Sequence, residues 1–210
     1  MPDRPGPCCF KTVAPLILAS ASPRRRVMLA KLGLDFTIDA AQADERVRTG
    51  ERAADFVLRV ARDKAAIVAG RHPGAWTLAA DTAVVLQGEI LGKPAHPPEA
   101  RRMLSRLAGR THEVWTGFCL TSPRRPEQTH SQAVRTEVRF SPLTPAVIDA
   151  YVRTGDPLDK AGAYGIQSLA GFMVEEISGS YSNVVGLPLS EVIARLLALD
   201  LIVPVAPDPS

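Results

Sequence analysis

A single carboxylate inside an apolar segment is the first candidate for chemistry in this sequence. Asp81 lies within residues 76–86, a run of mostly small and aliphatic residues between turn residues, which predicts a buried strand. Carboxylates are rarely buried without a partner, because an unpaired charge loses its hydration. We therefore expect a partner for Asp81 within the fold.

A lysine is expected across the hairpin that follows this strand. Residues 87–89 predict a tight turn, after which the chain returns through Lys93. With Leu86 opposite Ile90, Lys93 becomes a diagonal neighbour of Asp81, a separation that a lysine side chain can bridge. This register predicts an Asp81–Lys93 pair on one face of the hairpin.

Basic residues surround the start of the first predicted helix. The apolar residues 16–19 predict a buried strand, and Ser22 followed by Pro23 is typical of a helix N-cap. Three arginines at 24–26 then occupy the first turn, where the helix dipole disfavours each cation by roughly 0.3–1 kcal/mol. Helix starts bind anions, so a bound polyphosphate would account for these arginines. A solvated basic turn is the alternative, above all for Arg26.

Lysine is rare in this chain, which uses arginine for most of its positive charge. Its five lysines are Lys11, Lys31, Lys64, Lys93 and Lys160. Lys64 lies in the amphipathic helix predicted over residues 51–70, toward its apolar side. A lysine ammonium is a compact charge that suits phosphate binding or proton transfer. A snorkelling side chain with its ammonium in water is the alternative.

Composition limits the class of protein. The 210 residues are 46% hydrophobic and 22% charged, enough for one domain or two small lobes. A net charge of +3 suits a small polyanion, and the absence of a lysine-rich tract argues against nucleic acid.

Three cysteines give no disulfide framework, which indicates a reducing compartment. Residues 4–21 imitate a signal peptide, but cleavage would remove the first strand. We expect a cytoplasmic protein without a membrane span.

Periodicity predicts a single α/β domain over residues 14–202, with a disordered leader at 1–13 and a tail at 203–210. The first helix is expected to bury Val27, Met28 and Leu32. Further strands are predicted over residues 35–40, 114–120 and 133–140, and further helices over residues 98–108, 144–152 and 188–200. No GxxxxGK loop occurs, which argues against a P-loop NTPase.

Several motifs together resemble the Maf family of nucleoside triphosphate pyrophosphatases. They extend over about residues 15–200 and comprise Ser20-Ala-Ser-Pro-Arg-Arg25, Glu45, Ala61-Arg-Asp-Lys64, Ala80-Asp-Thr82, Gly92-Lys-Pro94, Gly109-Arg-Thr-His112, Asp159-Lys-Ala-Gly-Ala-Tyr-Gly-Ile-Gln167 and Gly186-Leu-Pro188.

The resemblance implies an α/β fold with a mixed sheet, flanking helices and two lobes around a deep cleft, similar to inosine triphosphate pyrophosphatases and usually homodimeric. It implies hydrolysis of nucleoside triphosphates to monophosphate and pyrophosphate with a divalent cation, Mg²⁺ or Mn²⁺. Asp81 matches the family's proton acceptor, and Arg24, Thr82 and Gln167 match the specificity positions of the branch that prefers dTTP and UTP. Ser168 stands where glycine is expected.

The chemistry of this reaction agrees with the residue types. Cleavage between the α and β phosphorus atoms needs a positioned water and neutralised phosphate oxygens. Asp81 and Glu45 are candidates for holding the metal, and Asp81 could also or instead deprotonate the water. We expect Lys64 and Lys93 to assist catalysis. The expected substrate-binding residues are Ser20, Ser22, Arg24, Arg25, Thr82 and Gln167.

Three other functions remain as alternatives. A non-catalytic, nucleotide-responsive regulator of cell division or septum formation would have no use for Asp81 and Glu45, since carboxylates repel a triphosphate unless a metal or a reacting water intervenes. A nucleic-acid binder would show strong salt dependence and would not need Gln167. A pyrophosphatase for modified purine nucleotides would differ in the base that Gln167 reads.

Overall fold

The computed structural model describes residues 8–205. The strands are β1 (Phe10–Thr12), β2 (Leu16–Leu18), β3 (Thr37–Ile38), β4 (Trp76–Leu86), β5 (Glu89–Leu91), β6 (Thr111–Thr121), β7 (His130–Phe140), β8 (Val174–Ser178) and β9 (Ile202–Pro204). The helices are α1 (Pro23–Lys31), α2 (Ala53–Arg71), α3 (Pro97–Leu107), α4 (Pro145–Val152), α5 (Tyr181–Val185) and α6 (Leu189–Ala198). Short 3₁₀ turns connect α4 to β8.

Seven strands form one mixed sheet, which confirms the predicted fold class. Their order is β3-β2-β4-β6-β7-β8, and β5 pairs with β4. β2 runs parallel to β3 and to β4, whereas β4, β6, β7 and β8 pair antiparallel in succession. The long strands β4 and β6 therefore form the centre of the sheet.

Two large apolar clusters lie at the two ends of β4, as expected for two lobes. One joins the inner face of α1 and of α6 to the first half of β4, and the other joins α3 and α4 to its second half. Leu78 and Ala80 belong to the first cluster, and Val84 and Leu86 belong to the second. Thr82 lies between them on the same face, because side chains alternate along a strand.

The other face of β4 is covered by α2. Small residues of β4, Ala79 and Ala83, pack against the apolar side of this helix. Lys64 is buried on that side, as predicted from the helical spacing. Asp81 lies between the two alanines on the same face and therefore points toward α2.

The edge of β4 has a gap at its middle. β2 pairs with residues 76–78, and β5 pairs with residues 84–86 on the same side. Residues 79–83 therefore have β6 on one side and neither β2 nor β5 on the other. Asp81 lies at the centre of this gap.

The chain ends differ from the predicted leader and tail. Phe10–Thr12 pairs antiparallel with Ile202–Pro204 in a small sheet, so the prediction of a disordered leader and a tail is wrong for Phe10–Thr12, Val203 and Pro204. Phe10 packs against the buried cluster that contains α1 and α6, which anchors the strand. Residues 1–7 and 206–210, also assigned to the leader and tail, lie outside the described residues.

Two local predictions near the first helix are wrong in part. Met28 is buried and Leu32 packs against the same apolar cluster, as predicted, but Val27 is 47% exposed. Arg25 and Leu29 are buried instead, so hydrophobicity alone did not identify the first inward residue of α1. The strand expected over residues 35–40 is limited to Thr37–Ile38, and both of its residues are exposed.

Candidate active site

A cleft of about 480 Å³ opens at the gap in the edge of β4. It is reached from both faces of the sheet, so the neighbouring residues Asp81 and Thr82 both line it although they point in opposite directions. All ten residues selected from the sequence line this cleft: Ser20, Ser22, Arg24, Arg25, Glu45, Lys64, Asp81, Thr82, Lys93 and Gln167.

A lysine joins two carboxylates at the centre of the cleft. Lys64 Nζ lies 2.8 Å from Asp81 Oδ1 and 2.6 Å from Glu45 Oε1. The Lys64 and Asp81 side chains are only 10% and 12% exposed, whereas Glu45 is 47% exposed. Partial burial raises the pKa of Glu45, but the Lys64 ammonium, assisted by Lys93 and Arg25, outweighs it and brings the pKa below its usual value.

The predicted Asp81–Lys93 pair is wrong, because the hairpin has a different register. Leu86 pairs with Glu89 across a two-residue turn of Gln87 and Gly88, which have φ angles of 53° and 82°. Positive φ at both residues is typical of the tightest hairpin turn. A one-residue change in register exchanges the faces of a strand. Lys93 instead lies beyond β5 as an exposed cation of the cleft.

The guanidinium of Arg25 is buried and connects three segments of the cleft wall. Its Nε donates to Gly186 O at 2.7 Å, Nη1 to Ser20 Oγ at 3.0 Å and Nη2 to Thr82 Oγ1 at 3.1 Å. Burial lowers the pKa of Arg25, an effect that the nearby Asp81 carboxylate opposes. These bonds use three of the five guanidinium N–H groups. Arg25 therefore holds the wall together as well as facing the cleft.

Ser22 occupies the N-cap position of α1, as predicted, but its side chain makes no capping hydrogen bond. The Ser22 N–H donates to Ser20 Oγ at 3.2 Å, so the two serines form a compact turn after β2. This turn presents Arg24 beside the cleft, where its Nη1 lies 3.9 Å from Asp159 Oδ2. The first turn of α1 thus brings two arginines and two serines to the cleft.

Lys160 is a cleft residue that was not selected from the sequence. Its ammonium is buried and donates to Asp156 O and Asp159 Oδ1, both at 2.6 Å. A Cβ at Gly165 would lie 2.8 Å from the Lys160 side chain, so glycine allows the loop to pass over it. The scarcity of lysine was the available signal, since Lys64, Lys93 and Lys160 all line the cleft.

The loop that carries Gln167 is held by its neighbour. Ser168 Oγ lies 2.6 Å from Asp156 Oδ2 and 2.8 Å from Gly165 O, and Tyr151 OH donates to the same Asp156 oxygen at 2.7 Å. Ser168, which stands where the family resemblance suggests glycine, therefore fixes the turn. Gln167 itself is exposed in the cleft.

Two buried polar residues behind the cleft were also missed. Thr116 in β6 and Asn183 in α5 are both fully buried, and Thr116 Oγ1 lies 2.9 Å from Thr82 Oγ1. A threonine in a strand and an asparagine in a turn are each ordinary in sequence. Only their position behind Thr82 distinguishes them.

Asp81 and Glu45 suit a divalent cation in type but do not form a complete ligand set. No group of three or more His, Cys, Asp or Glu side chains within residues 8–205 is arranged to hold a metal ion. Mg²⁺ is commonly bound by one or two carboxylates together with waters and substrate phosphates. Lys64 contacts one oxygen of each carboxylate. The pair therefore fits a metal whose other ligands come with a phosphate substrate.

The helices that surround the cleft are too short or too polar for a lipid bilayer. Among those within residues 8–205, none combines the length and the apolar composition that a membrane crossing requires.

Comparisons with known proteins place this architecture in a family. The chain is 55% identical over 181 residues to the dTTP/UTP pyrophosphatase of Myxococcus xanthus, covering 86% of this chain and 90% of that protein. It is 51% identical to the dTTP/UTP pyrophosphatase of Geobacter sulfurreducens, covering 86% and 94% of the two chains. A HAM1 protein from Coxiella burnetii has a similar structure, with a TM-score of 0.50, 16% identity, and 89% and 100% of the chains covered.

These similarities differ in what they establish. The likeness to the HAM1 protein shows the fold alone, because its sequence identity is low. The sequence model described as Maf-like protein matches residues 15–199, almost the whole described chain. The chain therefore belongs to the Maf family.

Proposed function

We propose that this protein hydrolyses nucleoside triphosphates to the monophosphate and pyrophosphate, with dTTP, UTP and modified pyrimidine nucleotides as its substrates in a nucleotide house-cleaning role. The observation that carries this proposal is the buried Asp81 carboxylate at the gap in β4, joined to Lys64 and open to a basic cleft. Relatives that are 51–55% identical are dTTP/UTP pyrophosphatases by name, which supports the same reaction here.

Asp81 is the group that accepts the proton of the attacking water. A carboxylate general base must lie within hydrogen-bonding reach of the proton that it removes, and Asp81 faces the cleft where a triphosphate would enter. Lys64 fixes the orientation of this carboxylate through its 2.8 Å contact to Oδ1. The reacting geometry is therefore set before substrate binds, which lowers the entropic part of the barrier.

The cations around Asp81 receive the phosphates. Arg24, Lys64 and Lys93 line the cleft from three different segments, and each can neutralise oxygens of the leaving pyrophosphate. Arg25 has fewer free N–H groups for the phosphates, since three of its five already bond to uncharged protein atoms, but it keeps its positive charge. We assign the β and γ phosphates to the side of the cleft that α1 and Lys93 line.

Asp81 and Glu45 are the residues that would hold a divalent cation together with phosphate oxygens. A bound Mg²⁺ or Mn²⁺ would neutralise charge on the substrate and would hold the triphosphate in a fixed position. Glu45, with its lowered pKa, is ionised at neutral pH and available for this role.

The base is read by Gln167 and by Thr82, whose hydroxyl accepts a hydrogen bond from Arg25 at the wall of the cleft. A glutamine amide has both a donor and an acceptor, and its NH₂ group can donate to O4 of uracil or thymine, which leaves the N3–H for the Thr82 oxygen. Polar contacts of this kind discriminate strongly, because a bound base covers these side chains and a mismatched base leaves their polar groups unpaired. The homodimer implied by the family resemblance and the cytoplasmic location expected from the cysteine content stay predictions.

The proposal is tested by measuring pyrophosphate release from dTTP, UTP, CTP, GTP and ATP, each with and without Mg²⁺. The expected result is metal-dependent release of pyrophosphate, fastest with dTTP and UTP. Release of inorganic phosphate instead, or a preference for a purine, would contradict the proposed reaction or the proposed substrate class respectively. Tight binding with no turnover of any nucleotide would favour a non-catalytic nucleotide regulator.

A further inference from the structure

A chain of hydrogen bonds connects Arg25 to the backbone of α5 behind the cleft. Arg25 Nη2 donates to Thr82 Oγ1 at 3.1 Å, and Thr82 Oγ1 lies 2.9 Å from Thr116 Oγ1. Thr116 Oγ1 then donates to Asn183 O at 3.0 Å. Thr116 and Asn183 are fully buried, so water does not substitute for the members at this end of the chain.

The chemistry of the two ends fixes the direction of every proton in this chain. A guanidinium only donates hydrogen bonds, a carbonyl oxygen only accepts them, and each threonine hydroxyl carries one proton. Thr116 Oγ1 therefore donates its proton to the backbone carbonyl oxygen of Asn183, and Thr82 Oγ1 donates its proton to Thr116 Oγ1. The reverse order would place two acceptor oxygens 3.0 Å apart without a proton between them in a buried site.

The acceptor at the end of the chain is held in place. Asn183 Nδ2 donates to Val114 O and to Thr136 Oγ1, both at 3.0 Å, and the Asn183 N–H donates to Ser180 Oγ at 3.2 Å. The backbone carbonyl of Asn183 is consequently held toward Thr116, because moving this residue would break the side-chain hydrogen bonds to β6 and β7. The proton order at Thr82 is thus determined by the buried interior.

This order leaves the Thr82 hydroxyl without a proton to give to a ligand. Its hydroxyl proton is committed to Thr116, and one of its lone pairs receives Arg25 Nη2. The remaining lone pair is the only polar feature that the Thr82 side chain offers to the cleft, so this hydroxyl acts there as an acceptor.

We propose that Thr116 is a positioning residue for base selection, which keeps Thr82 an acceptor so that it binds the N3–H of uracil and thymine and rejects the N3 lone pair of cytosine. This inference rests on the proposed pyrimidine triphosphate hydrolysis. Thr82 and Asp81 point to opposite faces of β4, so a change in base selection through Thr82 leaves the reacting carboxylate in place.

The test compares kcat/KM for UTP and CTP in wild type, Thr116→Val and Thr116→Ser. In Thr116→Val the Thr82 proton is released and can turn to donate to cytosine N3, so the UTP:CTP ratio should fall about tenfold. Thr116→Ser keeps the hydroxyl and should keep the wild-type ratio. If the role of Thr116 is purely structural, Thr116→Val lowers kcat/KM equally for UTP and for CTP. The UTP:CTP ratio would then be unchanged, which would overturn the inference.

Two further measurements separate the possible causes. In a Thr82→Val background, Thr116→Val should have no additional effect on the UTP:CTP ratio. A further tenfold fall of this ratio in the double variant would also overturn the inference. With the wild-type protein, kcat/KM for N3-methyl-UTP should be at least about tenfold lower than for UTP, because a methyl group replaces the N3–H that donates to Thr82. Equal efficiency would overturn the inference even if Thr116→Val does not fold. A wild type that hydrolyses neither UTP nor dTTP refutes the proposed function itself.

Discussion

Gly117 lies directly opposite Asp81 in the β4–β6 ladder. A Cβ at Gly117 would lie 2.6 Å from the carbonyl carbon and oxygen of Val57, which is backbone of α2. The absence of a side chain thus allows α2 to approach the sheet closely beside Asp81. The same helix carries Lys64, whose ammonium reaches Asp81 Oδ1 at 2.8 Å.

This relationship predicts that Gly117→Ala is harmful both to stability and to turnover. The added methyl group must move α2 or the sheet, which should reduce the free energy of unfolding by about 1–3 kcal/mol. It should also lower kcat, because Lys64 moves with the helix. Chemical denaturation and pyrophosphate release measure the two effects.

Gly70→Ala is the matched control, since Gly70 is an exposed residue of the same helix and a methyl group added there would meet open space. It should raise the free energy of unfolding by roughly 0.5 kcal/mol through helix propensity and leave kcat unchanged. Equal effects of the two substitutions would show that the close approach at Gly117 is unimportant.

Lys64→Met should leave Asp81 as a buried carboxylate without its cation. Breaking a buried ion pair from one side costs about 3 kcal/mol, and turnover should fall about 10²-fold because Asp81 loses its fixed orientation. Lys31→Met, at an exposed position of α1, should change neither quantity. Adding Asp81→Asn to Lys64→Met should restore part of the lost stability; if the double variant is less stable than Lys64→Met, the ion pair is not the cause.

The sequence predicted the cleft residues better than their contacts. All ten selected side chains line one cleft, because motif residue types and helical periodicity identify positions that face inward, as for Lys64. The hairpin register depended on one turn residue, and the error assigned Lys93 to Asp81 in place of Lys64. Local pattern does not determine which of two lysines from distant segments reaches a carboxylate.

Buried polar groups and contacts between distant segments explain the other differences between the predicted and the observed structure. Apolar periodicity assigned Val27 to the inner face of α1, whereas the first inward residue is Arg25. Thr116 and Asn183 were missed because their role depends on contacts between β6 and α5, which are 67 residues apart in sequence. The strand at Phe10–Thr12 depends on a partner at the other end of the chain.

His112 predicts a pH dependence of stability. Burial lowers the pKa of His112 from 6.5 to about 4, and its Nε2 lies 2.8 Å from Tyr164 OH between the rings of Phe140 and Tyr164. The unfolded chain binds a proton near pH 6.5 that the folded chain binds only near pH 4. The stabilisation is therefore complete above pH 6.5 and is lost as the pH falls toward 4, by about 3 kcal/mol in total.

Urea unfolding of wild type and His112→Gln between pH 7 and pH 4 measures this effect. The variant is expected to be less stable at pH 7 but to lose less stability on acidification, since carboxylates contribute alike to both proteins. If the free energy of unfolding depends on pH in the same way for both proteins, folding does not change the pKa of His112.

Gln167→Glu should change which base is accepted. A carboxylate retains an acceptor but loses the amide donor and repels O4 of uracil and thymine, so kcat/KM for dTTP and UTP should fall by about 10²-fold relative to GTP. Gln132→Glu places the same charge on an exposed position of β7 and should leave the profile unchanged. An unaltered profile in Gln167→Glu would mean that the base is read elsewhere.

The most direct test of the proposed mechanism is the rate of pyrophosphate release from dTTP and UTP by Asp81→Asn, with Asp63→Asn as the control. Asp63 is next to Lys64 in sequence but is 47% exposed. Asp81→Asn should retain the fold and nucleotide binding and should lose turnover by about 10²-fold or more, while Asp63→Asn keeps the wild-type rate. Near-normal turnover in a folded Asp81→Asn protein would contradict the central claim that this carboxylate carries the reaction.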